Sequence, residues 1–537
     1  MWLKLAQLRV PLNVTVAQLP AWVARRLGLE PRTVLEVRID RKSLDARHKS
    51  PVFIYNLYLR IDLAPQKQDA FLKQHAELDL TVTGPPAVVP LQVGKTKPSI
   101  SFRPVIVGAG PAGLFAGLKL AAAGFKPLII ERGEGLGERI ARVDHFWHTG
   151  ELDPESNIQY GCGGAGTFSD GKLTTRIKDP RLAEILQVLI ELGAPEDIRY
   201  LQLPHIGTDL LREVVTKLER LIGEYGGEIQ FRNRLTDLRI DRGEIRGVSI
   251  NSGTHLETGL VLLAVGNSAR DLYALLSEKG LKIEAKPIAV GLRIEHPQDL
   301  IDRAQYGSWA GNLQLGPGDY RLTYQDRESR RGVYTFCMCP GGQVVGAASE
   351  PGGVVTNGMS YHARNSGVAN AAIVVTIPAS DYGDTGPLGG IDFQRRLERK
   401  AYEAGGGKFF APAQRVADFL KCEPSQGFIA LKPSYLPGTR PANLWEVLPP
   451  NLCQAIAAAI RQFGRELKGF DWPDAVLTGV ETRTSAPVRI VRDVEREAEG
   501  FNGIYPVGEG AGYAGGIISS ALDGWKTAEV ICEKYCK

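Results

Sequence analysis

Cysteine is scarce and scattered, with seven residues in a chain of 537, an odd number. That excludes a disulfide framework, and a reducing cytoplasm is the compartment expected. The two that stand closest, Cys337 and Cys339 in FCMCPGG, supply only two ligands with no matching pair nearby, so no metal site is expected. Long hydrophobic runs are also missing: nothing approaches about 18 uninterrupted apolar residues, which argues against a membrane span. The opening stretch MWLKLAQLRVPLNV mixes Lys4, Gln7 and Arg9 into a short apolar segment without a small-residue cleavage site, so no secretory signal is expected.

What remains is ordinary globular composition, 43% hydrophobic and 23% charged, in a chain long enough for two or three domains. The net charge of +4 hides an asymmetry, because residues 1–104 hold 16 Lys and Arg against 8 Asp and Glu, while the remainder holds 48 against 52. A solvated basic face is the plain reading of that excess; a surface for nucleic acid or another acidic partner is the alternative.

Taken in order, residues 2–10 alternate as a strand does, and Thr15 can cap a helix whose apolar positions are Leu19, Trp22, Val23 and Leu27, ending near Gly28. TVLEVRID and PVFIYNLYLRID read as strands joined by the basic stretch Arg41 to Ser50, and TGPPAVVPLQVGKTKPS reads as a linker. At residue 104 the texture changes: PVIVGAGPAGLFAGLKLAAAGFKPLIIERG is a buried strand, a glycine turn, a small-residue helix and a second buried strand. Gly108 permits the tight turn, Gly110 allows backbone to approach a pyrophosphate, and Gly113 lets the helix lie close to the strand. Glu131 stands 18 positions after Gly113 at the end of LIIE, where a carboxylate can accept hydrogen bonds from a ribose.

A stretch dense in Gly, Ser and Thr follows, and its centre, GCGGAGTFSDGK from Gly161 to Lys172, offers unhindered backbone N–H groups to a ring edge or to phosphate oxygens. Helices are expected over 181–193 and 209–225. Strands over Glu228 to Phe231, Leu235 to Ile240 and Ile245 to Ile250 form a meander, and LVLLAVGNSARD is a buried strand entering a turn at Gly266. Residues 285–475 are mostly β with helices near 392–404 and 451–467. The last segment, GIYPVGEGAGYAGGIISSALDGWKTAEV, is strand, acidic glycine turn and helix.

The first and last glycine segments together resemble the FAD-dependent oxidoreductases of the glutathione-reductase type. In that family the first fingerprint holds the ADP half of FAD and a C-terminal G-[DE]-G places its acid on the ribityl chain. LVLLAVGN resembles the family's middle ATG strand, with Val265 where Thr is usual. Over almost the whole length the chain is similar to a subfamily of bacterial and plastid FAD-dependent dehydrogenases, through RKSLDARHK, SNIQYGCGGAGTFSDGKLTT, PHIGTD, GLRIEHP, GVYTFCMCPGG, TNGMSYHAR, ETRTSAPVR and GEGAGYAGGIISSALDG. Cys162 departs from that pattern, where Glu is expected.

The resemblance implies an α/β protein: a discontinuous Rossmann-type FAD-binding domain (101–285 and 476–537), an inserted mixed β-rich substrate or cap domain (286–475), and a small N-terminal α/β domain (1–100). The cofactor contacts it implies are Gly108, Gly110, Pro111, Ala112 and Gly113; Glu131, Arg132 and Arg139; Gly163, Gly164, Ala165, Gly166 and Thr167; Gly266; and Gly508, Glu509, Gly516 and Ile517. No second strand–glycine–helix fingerprint appears between 140 and 480, so a dedicated NAD(P)H domain is not expected. Electrons then come either from NAD(P)H as a transient reductant or from a small-molecule substrate that is itself oxidised. The C-x4-C spacing of a disulfide reductase is absent, and Cys337, Cys339 and Cys162 read first as structural thiols. Arg483, Arg293 and Arg489 are candidates to bind an acidic substrate, Arg483 foremost. His205 and His296 are candidate acid–base groups. Tyr334, Tyr361 and His362 read as core. The expected activity is hydride transfer between FAD and a small molecule; the alternatives are a flavin-dependent RNA-modifying enzyme using the basic N-terminal domain, and a non-catalytic redox sensor.

Overall fold

Val105–Val107, Leu128–Ile130, Val261–Leu263 and Ile504–Pro506 are short apolar strands whose residues are all buried, the pattern of a sheet covered on both faces. With Glu228–Gln230 they form a five-stranded parallel sheet in the order 504–506, 261–263, 105–107, 128–130, 228–230. Alternation divides them between two cores. Ile106, Ile129, Leu262 and Tyr505 pack under the helices Pro111–Ala122 and Ile517–Tyr535. Val105, Val107, Leu128, Ile130, Val261 and Leu263 face a three-stranded antiparallel meander and the helix Arg270–Glu278. This is the doubly wound Rossmann arrangement, with its chain reversal between the strands 105–107 and 261–263, where a crevice opens at their C-terminal ends.

The computed structural model describes residues 1–47, 50–87, 90–91, 93–94, 97–383 and 386–536. His48 and Lys49 of the basic stretch, part of the linker, and residues 384–385 lie outside the described residues. The two helices over the first core pack backbone to backbone, since a Cβ on Gly524 would stand 2.1 Å from the Ala112 carbonyl oxygen, and the first lies as close on its own turn, where a Cβ on Gly113 would stand 1.9 Å from the carbonyl oxygen of Gly108.

The larger insertion is a seven-stranded mixed sheet, in the order 323–325, 332–339, 368–377, 288–297, 476–481, 411–415, 439–441. Val476–Glu481 pairs with Ile288–Pro297 in its centre, so this strand belongs to the cap sheet and not, as expected, to the returning FAD segment. The helix Pro450–Glu466 covers one face through Ile456, Ile460 and Phe463. Ala289, Ala372 and Val374 with Tyr334 and Phe336 make the other face.

The N-terminal unit is a four-stranded antiparallel sheet with the helices Leu19–Arg26 and Pro65–Gln74. Its strand Val34–Asp45 runs through the first half of the basic stretch, which was expected to be a connection. It docks on the nucleotide unit as an edge: Lys42 N–H donates to the Tyr200 carbonyl at 2.8 Å, and Gln202 N–H donates to that of Lys42 at 3.0 Å. One other expectation is revised: Glu228–Gln230 joins the parallel sheet, its place in the meander being taken by Thr254–Glu257. The stretch dense in Gly, Ser and Thr is preceded by the helix Leu136–Thr149.

Candidate active site

Each parallel strand ends in a turn at one cavity of about 910 Å³. Its wall takes Gly108, Gly110, Pro111 and Ala112 from the first turn and Gly164, Ala165 and Gly166 from the glycine loop; Gly266, and then Glu509, Gly516 and Ile517, complete it. The helices Pro111–Ala122 and Ile517–Tyr535 both begin on this wall, so two sets of unpaired N–H groups and two positive dipole ends meet one space. The sheet face of the cap closes the far side with Tyr334, Phe336 and Cys337, joined by Asn357 from the two-stranded ribbon 343–346 and 356–359.

A dinucleotide fits this enclosure by size, by the anion-binding ends of two helices, and by backbone shape. Gly108 has φ +106°, and a Cβ there would lie 2.4 Å from the Ala264 carbonyl oxygen. Gly110 meets nothing on the protein side closer than Gly164 Cα at 3.8 Å, so its lack of a side chain serves the cavity.

Glu131 lines the cavity, yet its carboxylate is engaged by the protein. Ala109 N–H donates to Oε2 at 2.8 Å, and Gly133 and Gly161 N–H donate to Oε1, each at 2.9 Å. One buried acid therefore ties the first turn, the end of the second strand and the glycine loop. Arg132 also lines the cavity, paired with Glu155 and Asp271.

Arg139, expected to touch the cofactor, is instead fully buried behind the wall. Its guanidinium donates to the carbonyls of Asn157, Ile158, Gly161, Cys162 and Gly164, and burial pushes its pKa down to about 10. Gly113, Gly163, Thr167 and Gly508 likewise support the wall without lining it: Gly163 N–H donates to the Ala109 carbonyl, and Gly508 N–H to Asp523. Cys162 is a buried thiol pushed up by burial and by Glu219.

Glu509 is half-buried and accepts from Asn267 Nδ2 at 2.8 Å. Burial raises its carboxyl to about 6, against the hydrogen bond from Asn267 and the charge of Lys286. Asn267 was not anticipated; a polar residue directly after the Gly266 turn was its only signal.

The candidate substrate groups are rearranged more. Arg483 lines the cavity, but its fork is closed by Glu398, with Nε and Nη2 donating at 3.2 and 3.1 Å, and Nη1 donates to Ser349 at 2.5 Å. Arg293 is fully buried, bidentate to Glu481 at 3.0 Å, with Cys337 O, Asn357 and Asn370 taking its other N–H groups. Neither offers a free fork to a substrate. His205 is not among the cavity residues; it stacks on His362 with ring centroids 5.2 Å apart, and burial lowers it to about 4. His296 is buried beneath Phe470, and Arg489 lies over Tyr513. Tyr334, read as core, lines the cavity.

Two arginines that sequence reasoning passed over, Arg176 and Arg321, line the cavity and are exposed. Glu398 and Arg270 were also missed; they form a buried ion pair at 2.7 Å from the cap helix Gly389–Ala404 to the nucleotide unit. In the N-terminal unit, Lys4, Arg9, Arg32, Arg38, Arg47 and Arg60 each lie within 3.5 Å of a carboxylate and share Glu30, Glu36, Asp40 and Asp45, so part of the basic excess is paired within the unit. No helix among the described residues is long and apolar enough to cross a membrane.

Residues 287–484 match the family model of the FAD-dependent protein, C-terminal domain-like; residues 106–171 match that of an NAD(P)-binding Rossmann-like domain, and 3–60 a domain of unknown function. An uncharacterized protein of Clostridium beijerinckii is 43% identical over 513 residues, 96% of this chain and 95% of its own. Among solved structures, the chain is similar to glycine oxidase from Bacillus cereus (12% identity, 81% of this chain and 96% of that one, TM-score 0.33). It is also similar to glycerol-3-phosphate dehydrogenase from Bacillus halodurans complexed with FAD (9% identity, 81% and 65%, TM-score 0.36).

Proposed function

We propose that this chain, which belongs to the family of FAD-dependent proteins carrying that C-terminal domain and shares nearly its whole length with the clostridial relative, is an oxidoreductase acting on a small acidic molecule. The observation that carries the reading is the single cavity reached by both helix N-termini and closed by the cap sheet. FAD, when bound, supplies a reversible two-electron acceptor.

The chain's own residues bind and orient. Gly110 and Ala112 present N–H groups suited to a pyrophosphate, with Pro111 opening the helix between them, while the Glu131 carboxylate fixes the turn that presents them. Glu509, steadied by Asn267, is placed to accept hydrogen bonds from a ribityl hydroxyl. The N-terminus of Ile517–Tyr535 favours negative charge at its end of the cavity. Arg176 and Arg321 carry positive charge at the cavity wall and suit an acidic substrate, and Tyr334 and Phe336 cover the substrate side against water.

The test is direct. Purified wild-type protein is yellow with about one FAD per chain, as one cavity requires, and Gly110→Val is colourless with an unchanged circular dichroism spectrum. A folded wild-type protein that never binds FAD refutes the reading.

A further inference from the structure

Cys337 and Cys339 are set apart from the other thiols by where the chain puts them. The strand Gly332–Cys339 pairs regularly with Val368–Ile377 until Phe336, then slips register before Cys339. Cys337 occupies the left-handed region at φ +45°, a conformation that costs an ordinary side chain energy. A bulge of this kind re-aims a side chain. Cys337 lines the cavity and Cys339 is buried behind it, with both thiols free.

The surroundings are cationic and come from both units. Lys172, from the glycine loop, places Nζ 3.9 Å from Cys339 Sγ and pairs with Asp170 at 2.5 Å. Arg293 donates to the Cys337 carbonyl at 3.0 Å, and the Cys339 thiol donates to the same oxygen at 3.3 Å. The interaction between the two sulfurs lowers Cys337 and raises Cys339, with Lys172 favouring the charged form of each. Cys453 shows the contrast: it is buried among apolar side chains, donates only to backbone carbonyls, and is raised by burial, the environment of an inert thiol.

We propose that Cys337 and Cys339 are a redox-active dithiol–disulfide pair that exchanges two electrons with the FAD of this cavity. The inference rests on the FAD reading above. In the oxidising direction both thiols lose a proton, one Sγ–Sγ bond forms, and the two electrons and two protons reduce FAD to FADH₂; the reverse step breaks that bond and restores both thiols. Lys172 stabilises the thiolate that attacks or leaves.

The experiment is an anaerobic dithionite titration of FAD-loaded protein, oxidised with diamide and desalted, with the thiol state of the Cys337–Cys339 peptide read by mass before and after. Wild type is expected to take up about four electrons per flavin, and Cys337→Ser and Cys339→Ser about two, because a disulfide is a two-electron couple. The peptide is expected about 2 Da lighter before reduction than after it. Yellow wild-type protein that takes up two electrons, or serine variants that still take up four, overturns the inference and leaves the FAD reading standing. Colourless wild-type protein overturns both.

Discussion

Replacing Glu131 with Gln separates a ligand from a structural knot. In the native chain one carboxylate accepts three backbone N–H groups: Ala109 on Oε2, Gly133 and Gly161 on Oε1. An amide has one acceptor oxygen. Its best orientation keeps the oxygen toward Gly133 and Gly161 and turns its NH₂ toward the Ala109 N–H, which leaves that buried donor unsatisfied. An orphaned buried donor costs about 1–3 kcal/mol, and two charge-assisted bonds become neutral ones. Taking about 2 kcal/mol for local opening at Ala109 gives roughly a 30-fold faster exchange of that amide. Hydrogen exchange by mass spectrometry reads it in peptides spanning 105–113, 131–135 and 158–165, with and without added FAD. Faster exchange in all three segments of the FAD-free protein is expected. If Glu131→Gln weakens FAD binding while exchange in the FAD-free protein stays within about threefold of wild type, the carboxylate is a ligand only and the argument fails.

Two further outcomes follow from the buried charges. Glu509 is raised to about 6 by burial, so its carboxylate forms as pH rises through that value; an ionised acceptor binds a hydroxyl more strongly, and FAD affinity measured by flavin fluorescence should rise from pH 5 to pH 7 in wild type and stay flat in Glu509→Gln. The same raised pKa means the folded chain holds this proton more tightly than the unfolded one, so in the FAD-free protein this group's contribution to stability falls over the window from about 4.5 to about 6; a wild-type affinity without pH dependence there would refute the assignment. Glu398 faces Arg270 and Arg483 together, and although burial opposes it, those two guanidinium groups hold its carboxyl well below the usual range. Glu398→Ala leaves Arg483 without its carboxylate and Arg270 with Glu350 alone, and should cost about 3 kcal/mol, visible as an earlier urea midpoint, whereas an unchanged midpoint would show that the pair is not structural.

What the sequence displays well is what is local. Strand, glycine turn and helix at 105–122 and 504–535 are each written in one short continuous segment, and close packing allows nothing larger at Gly113 or Gly524. The alternation of Ile106 with Val105 and Val107 between two cores needed only the recognition that both faces are covered. The cap sheet was less legible because its central pairs join segments far apart in the chain: Arg293 lies opposite Thr478, and Leu292 opposite Gly479. Placing the boundary at 475 took the whole inner strand Val476–Glu481 out of that sheet. Charged residues were least legible of all. Arg483, Arg293 and Arg139 have the same chemistry in the sequence, and only the fold shows one closed by Glu398, one by Glu481 and one by five carbonyls. An arginine's availability depends on acids 85 or 188 positions away, and no local pattern encodes that.

The glycine loop has two jobs that its composition alone does not separate. Its first half, through Gly164 to Gly166, is wall: small, shaped by Arg139, and tied to Glu131 through Gly161. Its second half is a clasp. Asp170 is fully buried and receives Lys172, the Ser360 hydroxyl and both Nε and Nη2 of Arg364, and although burial opposes ionisation, Lys172 and Arg364 hold its carboxyl down at about 2. Ser360 and Arg364 belong to the cap, so the loop that shapes the cofactor wall also fixes the cap's distance from it. Lys172 then reaches from that clasp to Cys339. A shift of the cap by one hydrogen-bond length would draw Ser360 and Arg364 off Asp170 and change the reach from Lys172 to Cys339 at the same time, because the ammonium and both cap groups share that one carboxylate.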